Sequence, residues 1–288
     1  MVYKPVGITS SDLVLKIKRN LKFSKIGHTG TLDKFAEGLM ILPFGKFTAF
    51  SNYFLGQDKS YFTKVRFGII TDSGDRDGEI IQKWEQKEVE RFYSENITKI
   101  KTEIQNILHL KTQIPPKVSA LKVNGKRQST LYRQGIEFGS KPRNIFVYNL
   151  QFSNLTIDGF EMEIHVSSGT YIRKIVTDLS EKLNFPMHIV QLVRTKIGKQ
   201  HLEKAQGLEE LLISPKITKL EEIIHFPIVR VNIEDEKFIK NGRYISLSEE
   251  IGEDTFLIKT IESDKLLAWC SKKSKKSELP YSYLKVFV

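Results

Sequence analysis

Apolar residues recur along this chain at two spacings, and the alternation between them outlines its elements. Leu13, Val14, Ile17 and Leu21 fall at helical intervals, with Lys16, Lys18, Arg19 and Lys22 off that face. The Thr9-Ser10-Ser11 run ahead of them suits a helix cap. Residues 39–43 read as a short buried strand, and Phe47, Phe50 and Phe54 suit one helix face. Residues 59–68 alternate like a strand. Ile97, Ile100, Ile104, Ile107 and Leu108 return to the helical interval. Phe160, Met162, Ile164 and Val166 alternate with Glu161, Glu163 and His165, which predicts a half-buried strand. Its expected partner is 146–152, across a turn at Asp158-Gly159. Ile172, Ile175, Val176, Leu179 and Leu183 then form a helical stripe. Composition shifts near Phe226-Pro227. The short runs 228–231, 244–247, 255–261, 265–270 and 284–288 beyond it predict a small β-barrel-like domain.

Three stretches carry candidate chemistry. Gly27-His28-Thr29-Gly30-Thr31-Leu32-Asp33, continuing to Gly38, gathers three glycines around one imidazole, His28, and the acid Asp33, with Glu37 just before the last glycine. Glycine tolerates backbone angles and close approaches that other residues do not, so a tight loop with a large group against it is expected. Asp33 then stands on a loop braced by a rigid element, as catalytic groups often do; a turn former or helix cap is the plainer reading. Thr71-Asp72-Ser73-Gly74-Asp75-Arg76-Asp77-Gly78-Glu79 resembles a calcium loop if Ser73 is the first ligand and Gly78 the sixth position, but the twelfth is then Trp84, which cannot coordinate, so it reads as a polar turn. In 114–127, Pro115-Pro116 stops a helix and Asn124-Gly125 suits a hairpin turn. Bases there, continuing to Arg133, Lys141 and Arg143, suit either a flap that closes on phosphates or a solvated loop. Arg173 falls in a first helical turn, where the dipole disfavours a cation. It is a surface side chain or has a partner elsewhere.

The 288 residues carry a formal charge of +11, an excess that favours a polyanionic partner through counterion release. An anionic membrane surface or a merely solvated basic face would account for the charge as well. Cys270 is the single cysteine, so no disulfide forms within one chain and a reducing compartment, the cytoplasm, fits. The six histidines show no metal-ligand spacing. No apolar run approaches the ~18 residues of a membrane span, and residues 1–11 lack a signal-peptide core.

Taken together, the motifs resemble the TruB-type RNA pseudouridine synthases. The resemblance rests on Tyr3-Lys4-Pro5-Val6-Gly7-Ile8-Thr9-Ser10-Ser11, the Gly27–Asp33 block, Lys59-Ser60-Tyr61, the Pro115-to-Lys126 segment, and Gly169-Thr170-Tyr171-Ile172-Arg173. It implies an α+β fold: a mixed, largely antiparallel sheet flanked by helices, with a small β-rich PUA-like domain. Residues 1–226 would be catalytic, with a basic flap at about 112–144, and 227–288 would bind RNA. It implies isomerisation of uridine to pseudouridine, at uridine 55 in the T-arm of tRNA, without cofactor or metal. Asp33 would be the catalytic acid, Arg173 its ion-pair partner and Tyr61 a contact to the target base. His28, Tyr171, Leu192 and Lys4 would meet the substrate. No obligatory protein partner is implied, and a monomer is expected.

Departures from the family pattern lie around the same loop. Tyr3 stands where Asp is usual, Lys34 where Pro is usual and Glu37 where Thr is usual. Two other readings stay open at this point: a non-catalytic RNA-binding or tRNA-folding protein, and the catalytic subunit of a guide-RNA particle.

Overall fold

Seven strands of residues Met1–Lys216 join into one sheet, and its helices pack on the apolar side. The structure is a computed structural model that describes residues 1–116, 122–123, 126–127, 141–247, 253–272 and 281–287. The turn expected at Asn124-Gly125 and the base Arg133 lie outside them.

In chain order the strands are β1 (Val2–Lys4), β2 (Glu37–Met40), β3 (Lys59–Phe67), β4 (Ile69–Thr71), β5 (Ile80–Lys83), β6 (Thr112–Gln113), β7 (Lys122–Val123), β8 (Lys126–Arg127), β9 (Arg143–Asn144), β10 (Val147–Thr156), β11 (Gly159–Val166), β12 (Met187–Ile197) and β13 (Gln200–His201). The main sheet runs β1-β2-β12-β3-β11-β10, with β13 beside β12. Its pairs are antiparallel except β2 with β12, where Glu37 faces Val193 and Gly38 faces Arg194. The β10–β11 hairpin turns at Ile157-Asp158, one residue ahead of the expected place, and Gly159 already pairs with Thr156.

The period of two explains which face is buried. Lys59, Thr63, Val65 and Phe67 of β3 are buried, as are Phe160, Met162, Ile164 and Val166 of β11. The helix Ile172–Leu183 covers that face with Ile172, Ile175, Val176, Leu179 and Leu183, and ends where Asn184 turns left-handed at φ 49°. Burying one such aliphatic side chain is worth about 1.5–3 kcal/mol. The helix Gln86–Asn106 joins the same core through Val89, Ile100 and Ile104, and its Phe92 stacks on Phe185 at 4.5 Å. No helix among the described residues is long and apolar enough to cross a membrane.

The second compact unit, Ile217–Val288, holds a four-stranded sheet in the order β14 (Ile228–Val231), β15 (Thr255–Thr260), β16 (Leu266–Lys272) and β17 (Tyr281–Val286). The composition shift near Phe226-Pro227 falls inside this unit. Two local expectations fail here. Residues 244–247 form no strand, because their backbone bonds to a side chain instead of a ladder: the Ile245 N–H donates to the Tyr281 hydroxyl at 3.0 Å, which donates to the Ile245 carbonyl at 3.2 Å. Asp235–Lys240 forms a short helix that the pattern did not announce.

Gly38 is the tightest point of the sheet around the Asp33 loop. Its φ is +114°, and a Cβ there would lie 2.4 Å from the Arg194 carbonyl oxygen and 2.7 Å from its nitrogen. Gly38→Ala is therefore expected to destabilise the protein by ~3 kcal/mol or more, read as a lowered urea midpoint. A midpoint equal to wild type would show that β2 and β12 are not packed this closely.

Candidate active site

The loop carrying Asp33 is held by side chains that bond to its backbone. The Ser10 hydroxyl accepts from the Leu32 N–H at 2.9 Å and donates to the Leu32 carbonyl at 3.0 Å, so both polar groups of the preceding residue are satisfied. Ser10 starts the helix Ser10–Asn20, whose cap is a reciprocal Thr9–Asp12 pair. The Gly7 N–H donates to the Lys34 carbonyl at 2.9 Å, and the Lys4 ammonium to the Ala36 carbonyl at 2.6 Å. From the other side, Arg194 donates to the carbonyls of Leu39 at 2.8 Å and Gly30 at 3.2 Å. Buried backbone groups must be paired, and here pairing fixes the loop on both flanks of the acid.

Arg173 reaches that acid from 140 residues away. Its Nε donates to Asp33 Oδ2 at 2.8 Å and its Nη1 to the Ser73 carbonyl at 2.8 Å. A second carboxylate, Asp75, stands 3.5 Å from the same Nε. The side chains of Arg173 and Asp75 are each 6% exposed, whereas that of Asp33 is 41% exposed. The guanidinium cannot shed its proton, so burial demands acceptors, and these three supply them. Asp33 alone of the three charged groups offers a face to incoming substrate. Asp75 is aimed by the Ser73 hydroxyl at 2.8 Å and the Asp77 N–H at 3.0 Å. Burial raises the Asp75 carboxyl above its usual range, against the opposing pulls of Ser73 and Arg173. The polar turn 71–79 is therefore part of the site. Its Gly74 leaves room for the helix that bears Arg173, since a Cβ there would lie 2.7 Å from Thr177.

The other expected residues take distinct places. Tyr61 is half-buried on β3 opposite Arg194, the residue that donates to the Gly30 carbonyl. Tyr171 caps the helix two residues before Arg173. Its backbone is clamped by Gln113: the Tyr171 N–H donates to Oε1 at 2.9 Å, and Nε2 donates to the Tyr171 carbonyl at 3.0 Å. Leu192 is buried on β12 opposite Thr63. His28 is half-buried in the loop itself. Lys4 departs from expectation. It is fully buried, with its ammonium on the carbonyls of Ala36 and Pro5, so it holds the loop from within instead of facing a substrate.

Ser10, Asp75, Gln113 and Arg194 were not singled out from the sequence as site residues. Ser10 lies in the run that suits a helix cap and Asp75 in the polar turn, whereas no spacing along the chain marks Gln113 or Arg194.

Comparison with known proteins adds to this geometry. Residues 18–172 match the family model described as TruB family pseudouridylate synthase (N terminal domain). The tRNA pseudouridine synthase B of Leptospira interrogans is 44% identical over 289 residues, covering 100% of this chain and 93% of that protein. The protein of the same name from Borreliella burgdorferi is 33% identical over 270 residues, covering 93% and 92%. Among solved structures, a chain of an H/ACA ribonucleoprotein bound to a substrate RNA containing 2'-deoxyuridine matches with a TM-score of 0.64. That match is 19% identical and covers 100% of this chain and 84% of the other, a likeness of fold.

Burial pushes the Lys4 ammonium down from the ordinary 10.5 to about 8, although Asp33 pulls the other way. Between those values the unfolded chain holds a proton that the native state has released. Stability from this group therefore rises with pH across the window, by up to ~1.4 kcal/mol per unit. Urea unfolding of wild type and Lys4→Met at pH 7.5, 8.5 and 9.5 is expected to show wild type gaining on the variant as pH rises. Parallel pH profiles would mean that Lys4 titrates as an exposed lysine does.

Proposed function

Because the chain belongs to the TruB family of pseudouridylate synthases and forms pseudouridine in tRNA, an isomerisation, we propose that Asp33 begins this reaction with Arg173 as its fixed counter-cation. The observation that carries this reading is the 2.8 Å bond between them. A charge-assisted bond of this kind fixes the direction of the carboxylate and sets a permanent positive charge beside it. The open face of Asp33 leaves it free to act. Asp33 initiates cleavage of the bond between the ribose carbon C1' and uracil N1. The freed base turns while still held and rejoins C1' through C5. C5 gives up a proton and N1 gains one, so the nucleotide keeps its composition.

A uridine inside a folded RNA loop must first be extruded, at a cost of about a few kcal/mol. In this reading Tyr61 and Tyr171 supply the aromatic rings that meet the extruded base. Stacking of one base on such a ring is worth roughly 1–3 kcal/mol. Leu192 keeps the base side dry, and His28 holds the RNA in its extruded form. Lys4 and Gln113 serve as positioning residues, through Ala36 and Tyr171 respectively. The net charge of +11 supplies attraction to the phosphates.

In this reading the target is uridine 55 in the T-arm. The segment at about 112–144, within the catalytic residues 1–226, and the PUA-like residues 227–288 contribute further RNA contacts. The protein acts as a cytoplasmic monomer, since its one cysteine, itself buried, suits a reducing compartment. The likeness to a chain of an H/ACA ribonucleoprotein makes a need for guide RNA the competing reading. A bare tRNA transcript treated with the isolated protein separates the two.

Asp33→Asn is expected to bind tRNA within ~3-fold of wild type and to form no pseudouridine, scored by carbodiimide labelling of the treated transcript. Near-wild-type conversion by that variant would defeat the assignment. Gln113→Ala frees the Tyr171 backbone and is expected to lower kcat ~10-fold with tRNA affinity held, measured in single-turnover reactions. An unchanged kcat would show that Tyr171 and Arg173 are positioned without it.

A further inference from the structure

Two of the departures from the family pattern meet in space. Tyr3 lies on β1 and Glu37 opens β2, the neighbouring strand. The Tyr3 hydroxyl donates to Glu37 Oε2, and Gln191 Nε2 donates to Glu37 Oε1 at 3.0 Å. One carboxylate thus ties β1, β2 and β12 together at the point where the Asp33 loop enters the sheet. Glu37 directly follows Ala36, whose carbonyl holds Lys4 and whose N–H donates to the Asp33 carbonyl at 3.2 Å. Gln191 directly precedes Leu192, and its own carbonyl accepts from the Thr63 hydroxyl of β3 at 2.8 Å.

Each departure is awkward alone. An Asp at position 3 would remove the hydroxyl that Glu37 accepts from and add a second acid on the neighbouring strand. A Thr at position 37 would leave the Tyr3 hydroxyl and the Gln191 amide without the acid that both bond. Together, phenol and carboxylate form a donor and an acceptor. The phenol is pushed up to about 12, first by burial and then by Glu37, so it remains the donor even in mildly alkaline solution.

We propose that Tyr3 and Glu37 are an interdependent pair of positioning residues that hold the Asp33 loop in register with Gln191 and Leu192 of β12. The pair replaces the Asp and Thr of the family pattern as a unit. This inference rests on the reading of Asp33 given above.

The test is a reciprocal exchange, read as single-turnover kcat and tRNA affinity on one transcript. Tyr3→Asp alone is expected to lower kcat ~100-fold and Glu37→Thr alone ~10-fold, with affinity held within ~3-fold. The double variant Tyr3→Asp/Glu37→Thr is expected to recover to within ~5-fold of wild type. Tyr3→Phe, which keeps the ring and loses only the hydroxyl, is expected to cost ~5-fold in kcat with its melting temperature nearly unchanged. That variant decides the matter if the charged exchange does not fold. Single variants with wild-type kcat, or a double variant whose loss is the product of the two singles, would overturn the pairing. Asp33→Asn in the same assay keeps the two ideas apart. If it is inactive while the exchange shows no coupling, only the pairing falls; if it is active, the reading of Asp33 falls and takes the pairing with it.

Discussion

A guanidinium that cannot deprotonate, buried among three oxygens, is the constraint from which the site follows. Arg173 needs acceptors on several sides, and the fold must bring them from separate parts of the chain: Asp33 from the glycine-rich loop, Ser73 and Asp75 from the polar turn. Losing one would leave buried charge uncompensated, which is costly. The loop, the turn and the helix Ile172–Leu183 are therefore interlocked through one side chain. The same requirement accounts for an Arg in the first turn of a helix, where the dipole opposes it.

Around that centre the chain uses cations as struts. Lys4, Lys59 and Arg194 are buried and direct their nitrogens at backbone carbonyls: Lys4 at Ala36, Lys59 at Leu55 and Gln57, Arg194 at Leu39 and Gly30. Burial lowers the proton affinity of all three. They tie irregular backbone to the sheet where no ladder bond reaches. The resulting loop is rigid enough to hold Asp33 while leaving its outer face open, which is the geometry a reacting carboxylate needs.

The family membership and the departures from its pattern fit together on the same ground. A relative 33% identical over 270 residues belongs to the same family, so the family accepts different residues at many positions. Position 37 carries an acid here, and its two oxygens are both occupied by neighbouring strands. A changed residue that finds a complete set of partners is a substitution within the design and not a scar of lost activity.

Local pattern sufficed for much of this protein. The stripe from Leu13 to Leu21, the alternation of β3 and β11, the turn between β10 and β11 and the stripe from Ile172 to Leu183 all depend on spacing along a few turns or strand residues. Spacing is present in the amino-acid order itself. Asp33 and Arg173 stood out because motif words mark them. The tertiary structure alone decided that Lys4 is a strut, since a lysine is ordinarily exposed and nothing local says otherwise. It alone brought Asp75 to Arg173, Gln113 to the Tyr171 backbone and Tyr3 to Glu37, and it alone denied 244–247 a ladder in favour of the Tyr281 hydroxyl. Each of these is a hydrogen bond or ion pair between residues distant in sequence. The path of the chain sets which groups meet, and a one-dimensional pattern carries no record of that path.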